Sequence, residues 1–245
     1  GTGAAVSRVY VYTYVSGWGE EGIPSPESAI VSVQPGQTVT LSAMSVAPAG
    51  AYNIQTKRIY RVMSGTSGAA YQFVAEIPIS PTNYANSIAD TALVGVLESA
   101  DWVEPPTGLQ GLTGMRNGMM SGFLGDDVYF CEPGRPWAWP PRYRQPTGFK
   151  VVGTKASGSS LFVATKGNPY LMTGADPASM DVVKMTSRQA CVSKRSMVDM
   201  GDTIMYASPD GMIAANEAGA VLVTENLITQ KAWRSFNPES ILGAY

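Results

Sequence analysis

The feature that most constrains the fold of this chain is a strand–turn pattern that occurs three times in its second half. Gly125-Asp126-Asp127-Val128-Tyr129-Phe130-Cys131 is matched by Gly158-Ser159-Ser160-Leu161-Phe162-Val163-Ala164 and by Gly201-Asp202-Thr203-Ile204-Met205-Tyr206-Ala207. Each copy opens on a glycine and two small polar residues, runs through three large apolar residues to a small one, and meets a second turn at Gly134, Gly167 or Gly211. Glycine enters a tight reversal without steric cost, and β-branched and aromatic runs fit a pleated, half-buried surface. A unit repeated in this way predicts stacked or radial sheets, each burying a face on the next, as in a β-propeller. A chain built so is expected to be a building block or binding surface rather than an enzyme.

Composition narrows the function classes. Hydrophobic residues make up 44% of the 245, enough for one or two real cores. Charged residues make up only 15%, below the usual quarter. The surface is therefore polar and uncharged over large areas or covered by neighbouring subunits, and the second is favoured because low surface charge weakens the solubility of a free monomer. With 17 basic and 19 acidic residues the chain lacks the electrostatic footprint of a nucleic-acid binder, although Arg135, Arg142 and Arg144 form one local basic group. The absence of histidine removes Ser-His-Asp and Cys-His catalysis and the commonest zinc and haem ligand. Cys131 and Cys191 stand 60 positions apart in similar apolar strands and read as two buried thiols. No glycine-rich phosphate loop, Cys-x-x-Cys pair or nucleophile elbow is present, so no catalytic residue, cofactor or metal is expected. No apolar run approaches the roughly 20 residues of a membrane-spanning helix. The Gly1-Thr2-Gly3-Ala4-Ala5 start lacks the charged and apolar parts of a signal peptide, and without an initiator Met it reads as a processed product or part of something longer.

Short β-branched and aromatic runs separated by Gly and Pro turns predict an all-β chain. In the first half, strands are expected at Val9–Val15, Ala29–Val33, Thr38–Ser42, Lys57–Met63 and Tyr71–Ile77, with Gly65-Thr66-Ser67-Gly68 as a hairpin turn. Val9, Val11, Thr13 and Val15 share one face of the first strand and three tyrosines the other. Asp101 to Gly108 contains Pro105-Pro106 and reads as a stiff linker, which places the boundary near residue 100: a sandwich over 1–100 and blades over 101–245. In the second half the expected pairs are Gly118–Phe123 with Asp127–Cys131, Phe149–Thr154 with Ser160–Thr165, and Pro169–Thr173 with Asp181–Met185. Ser196–Met200, Thr203–Ala207, Gly211–Ala215 and Ala220–Thr224 fit a four-stranded blade, and Asn226 to Phe236 holds the one expected helix. Two or three blades do not close a ring of roughly four to eight, so the propeller-like domain is expected to be incomplete, cut off at its C-terminal side or completed by a neighbour.

Two resemblances follow from these residues. Tyr12-Thr13-Tyr14-Val15 with Gly19-Glu20-Glu21-Gly22-Ile23-Pro24-Ser25 resembles the last two strands of a fibronectin type III sandwich. Lys57-Arg58-Ile59-Tyr60-Arg61-Val62, Tyr71-Gln72-Phe73-Val74-Ala75-Glu76 and Tyr84-Ala85-Asn86-Ser87 resemble its middle strands, in permuted order. Either the closing strands belong to a preceding module or one sandwich is assembled from both segments. The series Arg58-Ile59-Tyr60-Arg61, Asn117-Gly118-Met119-Met120-Ser121-Gly122, Tyr129-Phe130-Cys131-Glu132-Pro133, Trp137-Ala138-Trp139-Pro140, Gly167-Asn168-Pro169-Tyr170, Gln189-Ala190-Cys191-Val192-Ser193-Lys194-Arg195 and Ser208-Pro209-Asp210-Gly211 resembles a bacteriophage virion family, the tail-tubular or nozzle proteins of short-tailed phages. That resemblance implies a virion tail component, a six-fold homo-oligomeric ring in contact with other tail or connector proteins, with DNA only as transiting cargo.

The segment from Glu132 to Arg144 is the most unusual. Its prolines keep it out of a sheet interior, and its tryptophans and arginines are residue types that anchor interfaces. Arg135, Trp137, Trp139, Arg142, Tyr143 and Arg144 are therefore candidate subunit-contact residues, the competing reading being that Trp137 and Trp139 close a propeller core. Two other functions remain in view: a glycan-binding propeller with Trp18, Trp137 and Trp139 as stacking platforms, and a glycoside hydrolase, for which no motif pairs two carboxylates. Asp126-Asp127, Glu20-Glu21 and Ser208-Pro209-Asp210-Gly211 read as solvated turns. Met115, Met119 and Met120 read as core filling.

Overall fold

The computed structural model describes residues 3–63 and 70–245. The proposed turn at 65–68 lies outside the described residues. The protein is all-β and divides into two compact units, Gly1–Trp102 and Val103–Tyr245.

In the first unit, β1 (Val6–Ser16), β2 (Val31–Val33), β4 (Ile54–Met63) and β5 (Gln72–Pro78) form an antiparallel sheet in the order β2-β1-β4-β5. The strands β3 (Val39–Leu41) and β6 (Tyr84–Asn86) form a second, two-stranded sheet. The long ladder from Val9 opposite Val62 to Val15 opposite Thr56 places the closing strand of the permuted pattern beside its middle strand. One sandwich is thus assembled from both segments. Both faces of β1 are covered. Tyr10 packs with Met44, Ile59 and Val74 toward Val39, Leu41 and Tyr84, while Val11 packs with Tyr60 and Leu97 on the opposite face. The Leu97 segment is held there by its amide donating to the Tyr71 carbonyl at 2.8 Å.

Polar groups tie this unit together in two places. Glu21 is not a solvated turn residue: its Oε1 accepts from the Thr13 and Tyr60 hydroxyls, both at 2.6 Å, and its Oε2 accepts from Arg58 at 2.8 Å. The turn folds back on β1, with Gly22 N donating to Tyr14 O at 3.0 Å, and this carries the carboxylate onto the sheet. Burial and the Glu21 carboxylate together push the Tyr60 phenol well above its ordinary range. Beneath the sheet, one oxygen of Asp90 accepts from Arg8 at 2.7 Å and from Arg61 at 2.6 Å, and Arg61 is 0% exposed.

The second unit consists of three four-stranded antiparallel meanders. The first holds β7 (Gln110–Gly114), β8 (Met120–Leu124), β9 (Asp127–Phe130) and β10 (Gln145–Pro146). The second holds β11 (Val151–Ser157), β12 (Ser160–Thr165), β13 (Tyr170–Thr173) and β14 (Asp181–Lys184). The third holds β15 (Val198–Asp199), β16 (Ile204–Ala207), β17 (Met212–Asn216) and β18 (Gly219–Leu222). These are blade-like sheets, and three of them do not close a ring. Strand alternation explains how they stack. Leu161 and Val163 of β12 join Phe123, Val128 and Phe130 of the first sheet in one core. Phe162 and Ala164 join Ile204, Tyr206, Ile213 and Ala215 of the third sheet in another. All six residues of β12 are consequently buried. Met115 and Met119 fill the first core, whereas Met120 points to the opposite face of β8 and is half-buried.

The repeated motif does not mark equivalent blade positions. Gly158 and Gly201 turn the first strand of a sheet into the second, but Gly125 turns β8 into β9, the second strand into the third. All three have positive φ, 66°, 61° and 93° in chain order, so the motif specifies a tight reversal and its outgoing strand, not a place in the blade. The expected helix shrinks to α1 (Gln230–Ser235). Thr229 caps it by accepting from Ala232 N, and buried Trp233 donates its indole N–H to Ser208 O at 2.9 Å. Asp210, in the same turn, binds Gln189 and Arg234, so this turn is an anchor as well as a reversal.

Both cysteines are free and buried. Burial pushes the Cys191 thiol up to about 11, and Cys131 is likewise raised. A thiol-specific maleimide at pH 8 is therefore expected to leave both unmodified in the native protein and to label both in denaturant. Rapid native labelling of either would contradict this packing. No helix among the described residues is long and apolar enough to cross a membrane.

Candidate functional site

The Glu132–Arg144 segment leaves β9 and is closed on itself by its backbone. Glu132 N donates to Ala138 O at 2.8 Å, Arg135 N to Glu132 O at 2.9 Å, and Ala138 N to Arg135 O at 3.0 Å. The prolines stop strand pairing, and Pro141 opens the short 3-10 turn Pro141–Tyr143. This folding separates the six candidate residues into two groups. Trp139 is 3% exposed, with its indole N–H donating to Pro136 O at 2.9 Å. Tyr143 is 4% exposed and belongs to the core between the first two sheets. Both side chains turn inward within the chain, because a large aromatic next to the sheet lowers the free energy more by entering the core than by waiting at the surface.

Arg135 and Trp137 are half-buried, and Arg142 and Arg144 are exposed. Their charges are answered locally. Arg142 donates to the Tyr143 hydroxyl at 2.9 Å, stacks 4.4 Å from that ring and lies 3.5 Å from Glu132. The Tyr143 hydroxyl donates to Glu132 at 2.9 Å, and its phenol is raised by burial first and Glu132 second. Arg144 lies 3.3 Å from Asp127. The local basic group read from the sequence is therefore largely neutralised by Glu132 and Asp127, which is also what the Asp126-Asp127 turn contributes beyond reversal.

A larger feature escaped the sequence reading: the outer face of the third sheet. Val198, Met205, Ala214 and Val221 lie directly opposite one another across all four strands, and Met212 and Val223 flank them on the same face. The opposite face packs on the second sheet. Val221 is 64% exposed, and Val223 is also exposed. The signal was available, because β16 to β18 carry apolar residues at both alternate positions, as β12 does.

A cleft of about 550 Å³ opens between the hairpin turns of the second and third sheets, lined by Arg116, Ser159, Asp202 and Glu217 among others. Glu217 accepts from Ser160 at 3.0 Å. None of the tryptophans lines this cleft, and Trp18 is 72% exposed in its turn. Among the described residues no group of three or more His, Cys, Asp or Glu is placed to hold a metal ion.

No family model matches this chain, and no curated protein matches it. Among solved structures it is similar to BBS1N in complex with ARL6DN, at 10% identity and a TM-score of 0.32, over 83% of this chain and 60% of that one. It is also similar to apo AztD from Citrobacter koseri, at 10% identity and a TM-score of 0.33, over 91% of this chain and 82% of that one. The chain thus spans less than two thirds of the first of these structures, and neither likeness carries a functional argument.

Proposed function

We propose that this protein is a structural subunit of a short-tailed phage tail, a nozzle or tail-tube type ring component that forms part of the DNA-ejection conduit by packing against copies of itself and neighbouring tail proteins. The observation that carries the reading is the contrast between the middle and outer sheets. The middle sheet shows what a blade looks like with a neighbour on each side: β12 is buried throughout. The third sheet presents an apolar outer row, Val198, Met205, Met212, Ala214, Val221 and Val223, in which Val221 and Val223 are exposed and the other four are half-buried. An exposed apolar face of this kind marks a contact surface. The motif series from Arg58 to Gly211 and the low charge content support a virion setting. In a head-to-tail arrangement, such a face on one subunit meets a different face on the next, and a closed rotation yields a ring.

Mass photometry of the protein alone and mixed with adjacent tail proteins tests the reading. A discrete oligomer is expected, and a monomer that persists under both conditions would sink it. Val221→Glu places a charge on the exposed row without touching either core, so it is expected to abolish the oligomer while shifting the thermal midpoint by no more than about 2 °C, as surface substitutions do. The glycan-binding reading gains nothing from the geometry, since Trp139 is buried.

A further inference from the structure

We infer that the cleft beside the first strands of the second unit is a binding site for a phosphate group. The inference does not depend on the ring reading. The cleft measures about 560 Å³ and is lined by Thr113 of β7, Thr154 and Lys155 of β11, and Lys194, Arg195 and Met197 at the entry to β15, with Leu112 and glycines beside them. Three cations thus converge from segments about 40 residues apart in sequence, and no lining residue is a carboxylate.

The frame that holds them is rigid. Thr154 Oγ1 donates to Gly111 O at 3.1 Å and lies 3.1 Å from Thr113 Oγ1, which fixes β7 to β11 immediately before Lys155. Lys194 and Arg195 sit on the 3-10 turn Lys194–Ser196. Ser196 is fully buried there: its hydroxyl donates to Ser193 O at 2.7 Å and accepts from Ala207 N at 2.8 Å. Gly243 N donates to Arg195 O at 2.9 Å, which pins the turn from the other side.

Their charges, unlike those of Arg142 and Arg144, are not answered. Among the described residues none of Lys155, Lys194 and Arg195 forms an ion pair; Lys194 Nζ lies 5.6 Å from the centre of the Phe123 ring. An adjoining cleft shares Lys155 and brings one carboxylate side chain, Asp199, whose Oδ1 accepts from Gly201 N at 2.9 Å. The protein carries a net charge of −2, so three unanswered cations in one cleft are not a by-product of a basic surface. Like charges held together repel, and an anion of two or more charges relieves that repulsion most. A guanidinium fork beside two ammonium groups matches a tetrahedral oxyanion, with the fork bonding two oxygens and the ammonium groups acting as point charges. Two sources share this chemistry, free phosphate or polyphosphate and the phosphodiester backbone of a nucleic acid.

Calorimetric titration of the whole protein at low salt, with inorganic phosphate, tripolyphosphate and a short single-stranded DNA, tests the site. Saturable binding of at least one is expected, weakened about tenfold for each cation removed in Lys155→Gln and Arg195→Gln, since each loses a charge-assisted bond. Arg144→Gln, on the other group of arginines, is expected to leave binding unchanged. Binding of the small phosphates alone assigns free phosphate as the source. Binding of the DNA with a steep salt dependence assigns the backbone. Absence of saturable binding to all three, or binding that Lys155→Gln and Arg195→Gln leave intact, overturns the proposal. Circular dichroism of each variant separates loss of the site from loss of the fold.

Discussion

Replacing Asp90 by asparagine is expected to lower the thermal midpoint of the first unit by roughly 15–30 °C, the shift that about 3–5 kcal/mol produces in a domain of this size. The reason is stoichiometric. Arg8 and Arg61 are both buried, and both donate to the same Asp90 oxygen, at 2.7 and 2.6 Å. Among the described residues, Arg61 Nε and Nη1 and Arg8 Nε have no hydrogen-bond partner. With the carboxylate gone, two guanidinium groups would remain out of water with no counter-charge, and leaving one partner of a buried pair uncompensated costs far more than the pair itself contributes. Domains are stable by only about 5–15 kcal/mol, so a large share of the total is at stake. Differential scanning calorimetry reads the outcome directly. A companion variant with Arg8→Met, Arg61→Met and Asp90→Leu removes all three charges together and is expected to recover much of the loss. If Asp90→Asn melts within about 2 °C of the parent protein, the two arginines are satisfied in some other way and the account of this site fails.

Phe162→Ala is expected to destabilise the second unit by about 3–5 kcal/mol, the range for truncating a fully buried aromatic residue. Phe162 is 1% exposed and is the large side chain that β12 presents to the third sheet. Its ring centre lies 5.7 Å from that of Tyr206, whose hydroxyl donates to Gln189 O at 2.8 Å, so the partner ring is anchored and is poorly able to collapse into the space left behind. Burial holds the Tyr206 phenol well above its ordinary range, in keeping with a ring that stays neutral and packed. The expected signature in urea unfolding is a lower midpoint for the second unit, with the first unit's transition unmoved. Phe162→Leu keeps most of the volume and should cost much less. A loss below about 1 kcal/mol for the alanine variant would show that the second and third sheets are held together by something other than this core.

These two sites differ in how far the residues themselves announced them. Leu161 to Ala164 are four consecutive apolar residues, and a short continuous apolar run reads as a strand buried on both faces. Phe162 as a core residue was therefore legible. The Arg8–Arg61–Asp90 group was not: its members lie 82 and 29 positions apart, and nothing local to Asp90 distinguishes it from any other turn carboxylate. Glu21 shows the same limit. Its Gly-Glu-Glu-Gly setting reads as solvated, and only the return of the turn onto β1 and β4 turns it into a shared acceptor.

The candidate contact segment divides along the same line. Its prolines, tryptophans and arginines correctly marked an irregular loop that pairs with no sheet interior. Whether each aromatic faced inward or outward depended on the cavity left between the first two sheets, and Tyr143 filled it. Conversely, Lys155, Lys194 and Arg195 carried no motif, because their convergence is a property of how β7, β11 and β15 lie side by side.

The sequence by itself determined the all-β class, the positions of nearly every strand and the left-handed turn glycines at 125, 158 and 201, because backbone preference and side-chain alternation act over a few residues. It also determined the absence of histidine chemistry. The tertiary structure alone decided that β1 joins β4 in one sandwich, that the Gly125 hairpin occupies a different blade position from the other two, and which charges are answered and which are not. Pairing, burial and charge compensation are set by segments that meet only once the chain has folded, and their energies depend on distance in space rather than on separation along the chain.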